Sequence, residues 1–118
     1  MTEISEKLQI KVDAAIALLQ EIAADYSPAV LATSYGAEDM VLTDLICKYA
    51  PEIGIFTLDT GRLPKETYEL MQTVKNQYQR DVQVFYPDTV SIENFVTQNG
   101  PNAFYDSVEL RKTCCGIR

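Results

Sequence analysis

Apolar residues recur every three or four positions near the start of the chain: Ile4, Leu8, Val12, Ala15, Ile16, Leu19 and Ile22 share one helical face. That period predicts an amphipathic helix over residues 4–24, ended by Ser27-Pro28. The pattern then changes. Ala29-Val30-Leu31-Ala32-Thr33 is a short apolar run, as expected of a buried strand. Ser34-Tyr35-Gly36 turns the chain. Helical spacing resumes from Ala37 to Tyr49 through Met40, Val41, Leu45 and Ile46, and Pro51 stops it. Ile53 to Leu58 predicts a second strand, ending at Asp59-Thr60-Gly61. Pro64 suits the first position of a helix running through Tyr68, Leu70, Met71, Val74 and Tyr78. Val82-Gln83-Val84-Phe85-Tyr86 alternates as a third strand and breaks at Pro87-Asp88. Ser91 is a candidate N-cap for a short helix, although Asn94 holds the place where a capping box has Glu. Asn99-Gly100-Pro101-Asn102 is a turn cluster, followed by aromatic residues and a basic helix.

The expected order is α-β-α-β-α-β-α. Strands separated by helices of about a dozen residues imply right-handed crossovers and a parallel sheet, hence the α/β class. No internal repeat, low-complexity run or long linker interrupts the 118 residues, so a single domain over 1–118 is expected. Three strands make a small sheet, and the fold is expected to continue beyond Arg118.

Charge and composition narrow the chemistry. The net charge of −7 disfavours a general nucleic-acid coat. No apolar run reaches the roughly 20 residues of a membrane span. The start, MTEISEKLQIKVD, has no apolar core of a signal peptide, so the expected location is cytoplasmic. The absence of His removes the usual general base and the usual zinc nitrogen ligand. Three cysteines in such a chain argue against a disulfide framework.

In an open parallel sheet, ligands bind beyond the carboxyl ends of the strands, and two loops occupy that edge. The first is Ser34-Tyr35-Gly36-Ala37-Glu38-Asp39. The amides of Gly36, Ala37 and Glu38 would stand free at a helix N-terminus, where the dipole favours an anion, and Ser34 adds a hydroxyl. Glu38 and Asp39 would have to point away from such a charge. The plainer alternative makes Ser34 a helix cap with two favourable first-turn acids. The second loop is Leu58-Asp59-Thr60-Gly61-Arg62. Asp59 could accept hydrogens from ribose or adenine, the Leu58 backbone could pair with a base edge, and Arg62 could grip an anion bidentately. The alternative there is an Asx turn beside a solvated Arg.

Lys65, Glu66, Glu69, Lys75 and Arg80 read as a solvated helix face, and Tyr68 and Tyr78 as packing at a core edge. Cys47, within Leu45-Ile46-Cys47-Lys48, reads as a small buried hydrophobe. Cys114 and Cys115 differ. Arg111, Lys112 and Arg118 surround them with positive charge and no acid, the setting that favours thiolates. Two neighbouring thiolates could take two corners of an iron–sulfur cluster. A vicinal disulfide, a resolving redox pair and two incidental thiols stay open beside it.

Four blocks in order complete the picture: Ser34-Tyr35-Gly36-Ala37-Glu38-Asp39-Met40-Val41, Leu58 to Tyr68, Asn99 to Ser107, and Arg111-Lys112-Thr113-Cys114-Cys115-Gly116-Ile117-Arg118. Together they resemble the assimilatory adenylyl-sulfate reductases of the wider phosphoadenylyl-sulfate reductase family. The resemblance implies an adenine-nucleotide α-hydrolase-like fold with a modified pyrophosphate loop, incomplete here at its C-terminal side. It implies conversion of adenosine 5′-phosphosulfate to sulfite and AMP, with thioredoxin or glutaredoxin as electron donor. It places Ser34, Tyr35, Gly36, Ala37, Glu38, Asp39, Leu58, Asp59, Thr60, Gly61 and Arg118 at the substrate. Cys114 and Cys115 become two of the four ligands of a [4Fe-4S] cluster, a mark of the adenylyl-sulfate branch. The family's lysine after the arginine matched by Arg118, its second cysteine pair, its Arg-rich loop and its nucleophilic cysteine have no counterpart in these residues. The chain is therefore expected to be the N-terminal half of such an enzyme and inactive alone. A reductase of the 3′-phosphorylated nucleotide and a non-catalytic nucleotide-binding remnant are the alternatives. A homo-oligomer stays open, and neither nucleic acid nor membrane is an expected partner.

Overall fold

The computed structural model describes residues 4–118; residues 1–3, part of the polar start read above as carrying no signal peptide, lie outside the described residues. The elements are α1 (Glu6–Asp25), β1 (Val30–Ala32), α2 (Ala37–Tyr49), β2 (Gly54–Leu58), α3 (Lys65–Tyr78), β3 (Gln83–Phe85), α4 (Thr89–Asn99), a 3-10 turn (Ala103–Tyr105) and α5 (Val108–Ile117). The sheet runs β1-β2-β3 with both pairs parallel, as the alternating pattern requires. Its register places Leu31 beside Ile55 and Leu58 beside Phe85.

Each strand is shorter than its apolar run. Ala29 and Thr33 keep one bond each to the β2 segment, Gly54 N to Ala29 O at 3.0 Å and Thr33 N to Phe56 O at 2.8 Å, yet lie outside the paired ladder. Two helix starts also differ from expectation. Pro64 is the cap of α3 rather than its first residue, because its ψ of 148° is extended. Ser91 is not a cap. Asp88 caps α4, its Oδ2 accepting from Ser91 N at 3.0 Å and Ser91 Oγ at 2.8 Å. A carboxylate accepts from amides and also complements the helix dipole, so it outcompetes the hydroxyl.

The main core gathers Ile46 and Ala50 at the end of α2 with Ile53 and Ile55 around β2. Leu19, Ile22 and Ala23 of α1 pack on it, together with Leu31 and Cys47, so Cys47 joins this apolar cluster but is only partly buried rather than buried. The first half of the α1 face has no such partner: Leu8 is 48% exposed and α1 contains no buried residue. A second small core joins Phe95 of α4, Ala103 of the 3-10 turn and Cys114 of α5. With two modest cores, the radius of gyration is 18.1 Å, against about 13 Å for a compact domain of this length.

Alternation along the strands sends Leu31 and Ile55 toward the helices and Val30, Ala32, Phe56, Leu58 and Phe85 to the other side. That second face is apolar but open, with Val30 65% and Leu58 58% exposed. Phe56 and Phe85 meet edge to face on it, centroids 5.7 Å apart. Parallel sheets normally have both faces covered.

Polar ties align α2 and α3. Tyr78 donates to Asp44 Oδ1 at 2.7 Å, and Lys48 pairs with Asp44 at 3.0 Å. Lys75 and Lys65 pair with acids on the expected solvated face, but Arg80 does not belong to it. The Arg80 guanidinium turns inward and donates to the carbonyls of Pro51 and Ile53, fixing the entry of β2. The Tyr78 phenol is pushed up to about 12, first by its hydrogen bond to Asp44 and then by burial. A raised phenol favours the protonated folded form. Its stabilisation is complete below the ordinary tyrosine value of about 10 and is lost as pH rises through the folded value. An alkaline absorbance titration is expected to show one tyrosine ionising near pH 12, and Asp44→Ala to return it toward the ordinary range.

Among the described residues no helix is long and apolar enough to cross a membrane.

Candidate functional site

The loop after β1 is built by its own side chains. Tyr35 adopts a left-handed φ of 60°, and its amide donates to Thr33 Oγ1 at 3.1 Å. Ser34 Oγ accepts from Gly36 N at 3.2 Å and donates to Asp39 Oδ2 at 2.7 Å, while Ser34 N donates to the same oxygen at 2.7 Å. Two expectations are corrected here. Ser34 is not the cap of α2: Gly36 holds that position and makes no side-chain cap bond. Asp39 does not point away from the loop but reaches back and occupies the Ser34 donors. A carboxylate on the first turn finds both the helix dipole and two free donors there, which is more favourable than solvent. The Ser34 hydroxyl, then its amide, hold the Asp39 carboxyl below its usual range. Gly36 has its amide engaged as well, which leaves the first-turn amides of Ala37 and Glu38 for an anion.

The loop after β2 turns on Asp59, which is 5% exposed. Its Oδ1 accepts from Gly61 N at 2.7 Å and from the Tyr68 hydroxyl at 2.8 Å, and its amide donates to Phe85 O at 2.9 Å. Asp59 is thus the centre of an Asx turn, where two donors to Oδ1 compensate its burial. The acceptor raises the Tyr68 phenol above its usual value. Gly61 has φ +82°, and a Cβ there would lie 3.3 Å from Arg118 Nη1. Arg62 is already engaged through Nη1. It donates to Pro101 O and, at 3.0 Å, to Asn102 Oδ1, and its guanidinium lies 4.8 Å from the centre of the Phe104 ring.

Three cavities result. Ser34 and Tyr35 share one of about 320 Å³ with Leu58, Phe56, Leu63 and Thr67, at the carboxyl end of the open sheet face. Thr60, Gly61, Arg62 and Arg118 line a second, of about 670 Å³, closed on its other side by Tyr86 and Ile92. Cys114 and Cys115 line a third, of about 430 Å³, with Thr60, Arg62, Arg111 and Arg118. The structure therefore joins Ser34, Tyr35 and Leu58, and separately joins Thr60, Arg118 and the two thiols. Ala37, Glu38 and Asp39 line none of these three cavities. Arg118 donates to Thr60 O, while its Nε is buried with no partner among the described residues.

Helix α5 presents the thiols differently. Ser107 caps it, accepting from Leu110 N at 3.0 Å. Cys114 is buried against Phe95 and Ala103, and Cys115 is exposed. Among the described residues no group of three or more His, Cys, Asp or Glu could hold a metal ion. The pair does offer two sulfurs to one cavity walled by three guanidinium groups, which fits two corners of a thiolate-ligated cluster. Periodicity did not reveal Tyr68, Phe104 or Thr33 as site-building residues. Each acts through a partner in the folded loops, and Arg62 and Asn102 stand 40 positions apart.

A parallel α/β sheet with loops at its carboxyl edge lining cavities is a ligand-binding architecture of the open, wound type. The model of the phosphoadenosine phosphosulfate reductase domain matches residues 28–118. The adenosine 5′-phosphosulfate reductase of Burkholderia cepacia is 41% identical over 117 residues, covering 99% of this chain and 47% of that protein. That of Allochromatium vinosum is 43% identical over 114 residues, covering 97% of this chain and 44% of the relative. The phosphoadenylyl-sulfate reductase of Candida auris, solved as a phosphate complex, superposes with a TM-score of 0.60 at 22% identity, covering 92% of this chain and 57% of that one. The chain belongs to the phosphoadenosine phosphosulfate reductase family. It spans about half the length of the curated relatives it matches.

Proposed function

We propose that this chain supplies the nucleotide-binding half of an adenosine 5′-phosphosulfate reductase. The observation that carries the reading is the shared cavity of Ser34, Tyr35 and Leu58, which the ends of β1 and β2 line together. The names of the Burkholderia and Allochromatium relatives support the substrate. The apolar walls of Phe56, Leu58 and Leu63 suit a base and ribose. The Ala37 and Glu38 amides at the start of α2 lie outside that cavity and would meet an anion only where it extends past Ser34. Arg118, with its unpartnered Nε, adds a cationic donor beside Thr60.

Cys114 and Cys115 would hold half of a [4Fe-4S] cluster, which when bound would shape the electrostatics around the sulfate rather than carry the electrons. A cysteine outside these residues would attack the sulfate sulfur, forming an S–S bond as AMP leaves. A thiol of thioredoxin or glutaredoxin would then release sulfite and be oxidised with the enzyme cysteine to a disulfide.

The test is metal and substrate content of a complete reductase containing this segment. About four iron and four sulfide per chain are expected, with a brown absorbance and preference for adenosine 5′-phosphosulfate over its 3′-phosphorylated form. A colourless, iron-free protein preferring the 3′-phosphorylated nucleotide would overturn the reading. The 118 residues alone are expected to form no sulfite with thioredoxin.

A further inference from the structure

Arg62 was read as an anion grip or a solvated cation, and its contacts lead to neither. It sits on the loop after β2, beside Thr60 and Gly61. Its guanidinium donates to the Pro101 carbonyl and to Asn102 Oδ1 at 3.0 Å, on the turn that follows α4. The same group lies over the Phe104 ring, 4.8 Å from its centre. Phe104 in turn receives Arg111 Nε of α5 on its carbonyl at 3.2 Å. Ala103, next to Phe104, is 1% exposed and packs in one cluster with Cys114. One planar cation thus binds two acceptors and a ring face on a segment that rests directly on the cysteine helix.

We propose that Arg62 is a positioning residue for the thiol pair. It clamps the Pro101–Phe104 turn to the β2 loop, and through that turn it holds Cys114 in its buried orientation and α5 in register with Thr60. Two features make arginine the fitting residue: its Nη1 alone reaches both acceptors, and its guanidinium lies over the Phe104 ring at the same time. The Arg118 bond to Thr60 O runs in the opposite direction, from the end of α5 to the β2 loop. The helix is therefore fastened at both ends, with Cys114 and Cys115 between the fasteners. The importance of this clamp to the reaction rests on the cluster reading above, whereas the clamp itself is a property of the iron-free chain.

That separation allows an independent test. The iron-free chain, held reduced with chelator present, is alkylated with iodoacetamide, and each cysteine is followed by peptide mass spectrometry. Cys115 is exposed and reacts fast; Cys114 is buried and reacts slowly. Cys47 packs in the other core, around Ile46 and Ile55, and reports on general loosening. Arg62→Ala is expected to speed Cys114 labelling about tenfold or more, since charged hydrogen bonds and a stacked cation are lost together. Cys47 labelling stays as in the parent chain. Arg62→Lys, which keeps the charge over the ring but only one point of attachment, recovers part of the protection. An unchanged Cys114 rate in Arg62→Ala overturns the clamp, and so does equal acceleration of Cys47 and Cys114. If Arg62→Ala loses its helical circular dichroism, Asn102→Ala carries the test, with about fivefold faster Cys114 labelling expected and no change overturning the clamp. Failure of a complete reductase to load iron would sink the cluster reading and leave these rates untouched.

Discussion

Asp59→Ala is expected to destabilise the chain by roughly 3 kcal/mol and to loosen the loop that carries Thr60 and Gly61. The carboxylate is 5% exposed and accepts from Gly61 N at 2.7 Å and from the Tyr68 hydroxyl at 2.8 Å. Hydrogen bonds to a charged acceptor contribute about 1.5–3 kcal/mol each, and their loss leaves the facing donors without a partner. The loop then loses the bond that holds Gly61 at φ +82°, where Arg118 Nη1 approaches the glycine. Urea unfolding gives the energy from the shift in midpoint at constant slope. Asp59→Asn keeps one acceptor oxygen and is expected to fall between parent and alanine. A double-mutant cycle with Tyr68→Phe isolates the phenol bond, and a coupling below about 0.5 kcal/mol would mean that Tyr68 does not hold the turn.

Ile46→Ala is expected to have the second large effect, a loss of about 2–5 kcal/mol. Ile46 is 1% exposed and the largest fully buried side chain among the described residues. It is the hinge of the main core, where the end of α2 meets Ile53 and Ile55 of the β2 segment and Leu19 and Ile22 of α1. Removing its side chain leaves a cavity that neighbours on three different elements cannot close together. Since whole domains retain only about 5–15 kcal/mol, a chain with two small cores is expected to lose its cooperative thermal transition. Scanning calorimetry checks this. A sharp transition within a few degrees of the parent would show that the Ile46 cluster is not what holds the sheet to its helices. Exposed Val41, on the same helix, serves as the control, with Val41→Ala expected to cost well under 1 kcal/mol.

The two changes act on different levels of the same site. Ile46 fixes where α2 lies, and α2 begins at the loop of Ser34 to Asp39. Asp59 fixes the shape of the neighbouring loop directly. Loss of the first is expected to disturb both cavities at the sheet edge, and loss of the second only the Thr60 side. For the proposed nucleotide site, fluorescence of an added adenine-nucleotide analogue, compared for the two variants at a temperature where both stay folded, separates these outcomes.

The pattern of residues was enough for the helices and strands themselves. α2 runs over Ala37–Tyr49 as its apolar spacing predicts, and the parallel order follows from strands alternating with helices. The turn at Gly100, with φ +83°, and the Asx turn at Asp59 were also readable, because glycine and aspartate carry their turn chemistry locally. The two ends that were misread, Pro64 and Ser91, are local competitions. In each, a neighbouring geometry or a stronger acceptor prevailed by one to three positions.

Side-chain direction was a different matter. Beside a bound anion Asp39 would have had to turn outward; Asp59 was read as a ribose acceptor or the centre of an Asx turn, Arg62 as an anion grip or a solvated cation, and Arg80 as part of a solvated face. All four turn to protein partners, and their spacing in the chain gives no hint of which. Arg80 reaches back 29 positions to Pro51, Arg62 reaches forward 40 to Asn102, and Arg118 lies 58 beyond Thr60. Hydrophobic period and turn chemistry are set by neighbours within a few residues, so helices, strands, parallel order and the motif that marks the family stand in the sequence. Which polar group satisfies which depends on burial and on surfaces that meet only after α1, α2 and α3 have packed. A buried donor or acceptor without a partner costs too much to leave unmade, so tertiary packing decided the orientation of Arg62, Arg80 and Arg118, while Asp39 and Asp59 were set by partners within their own loops.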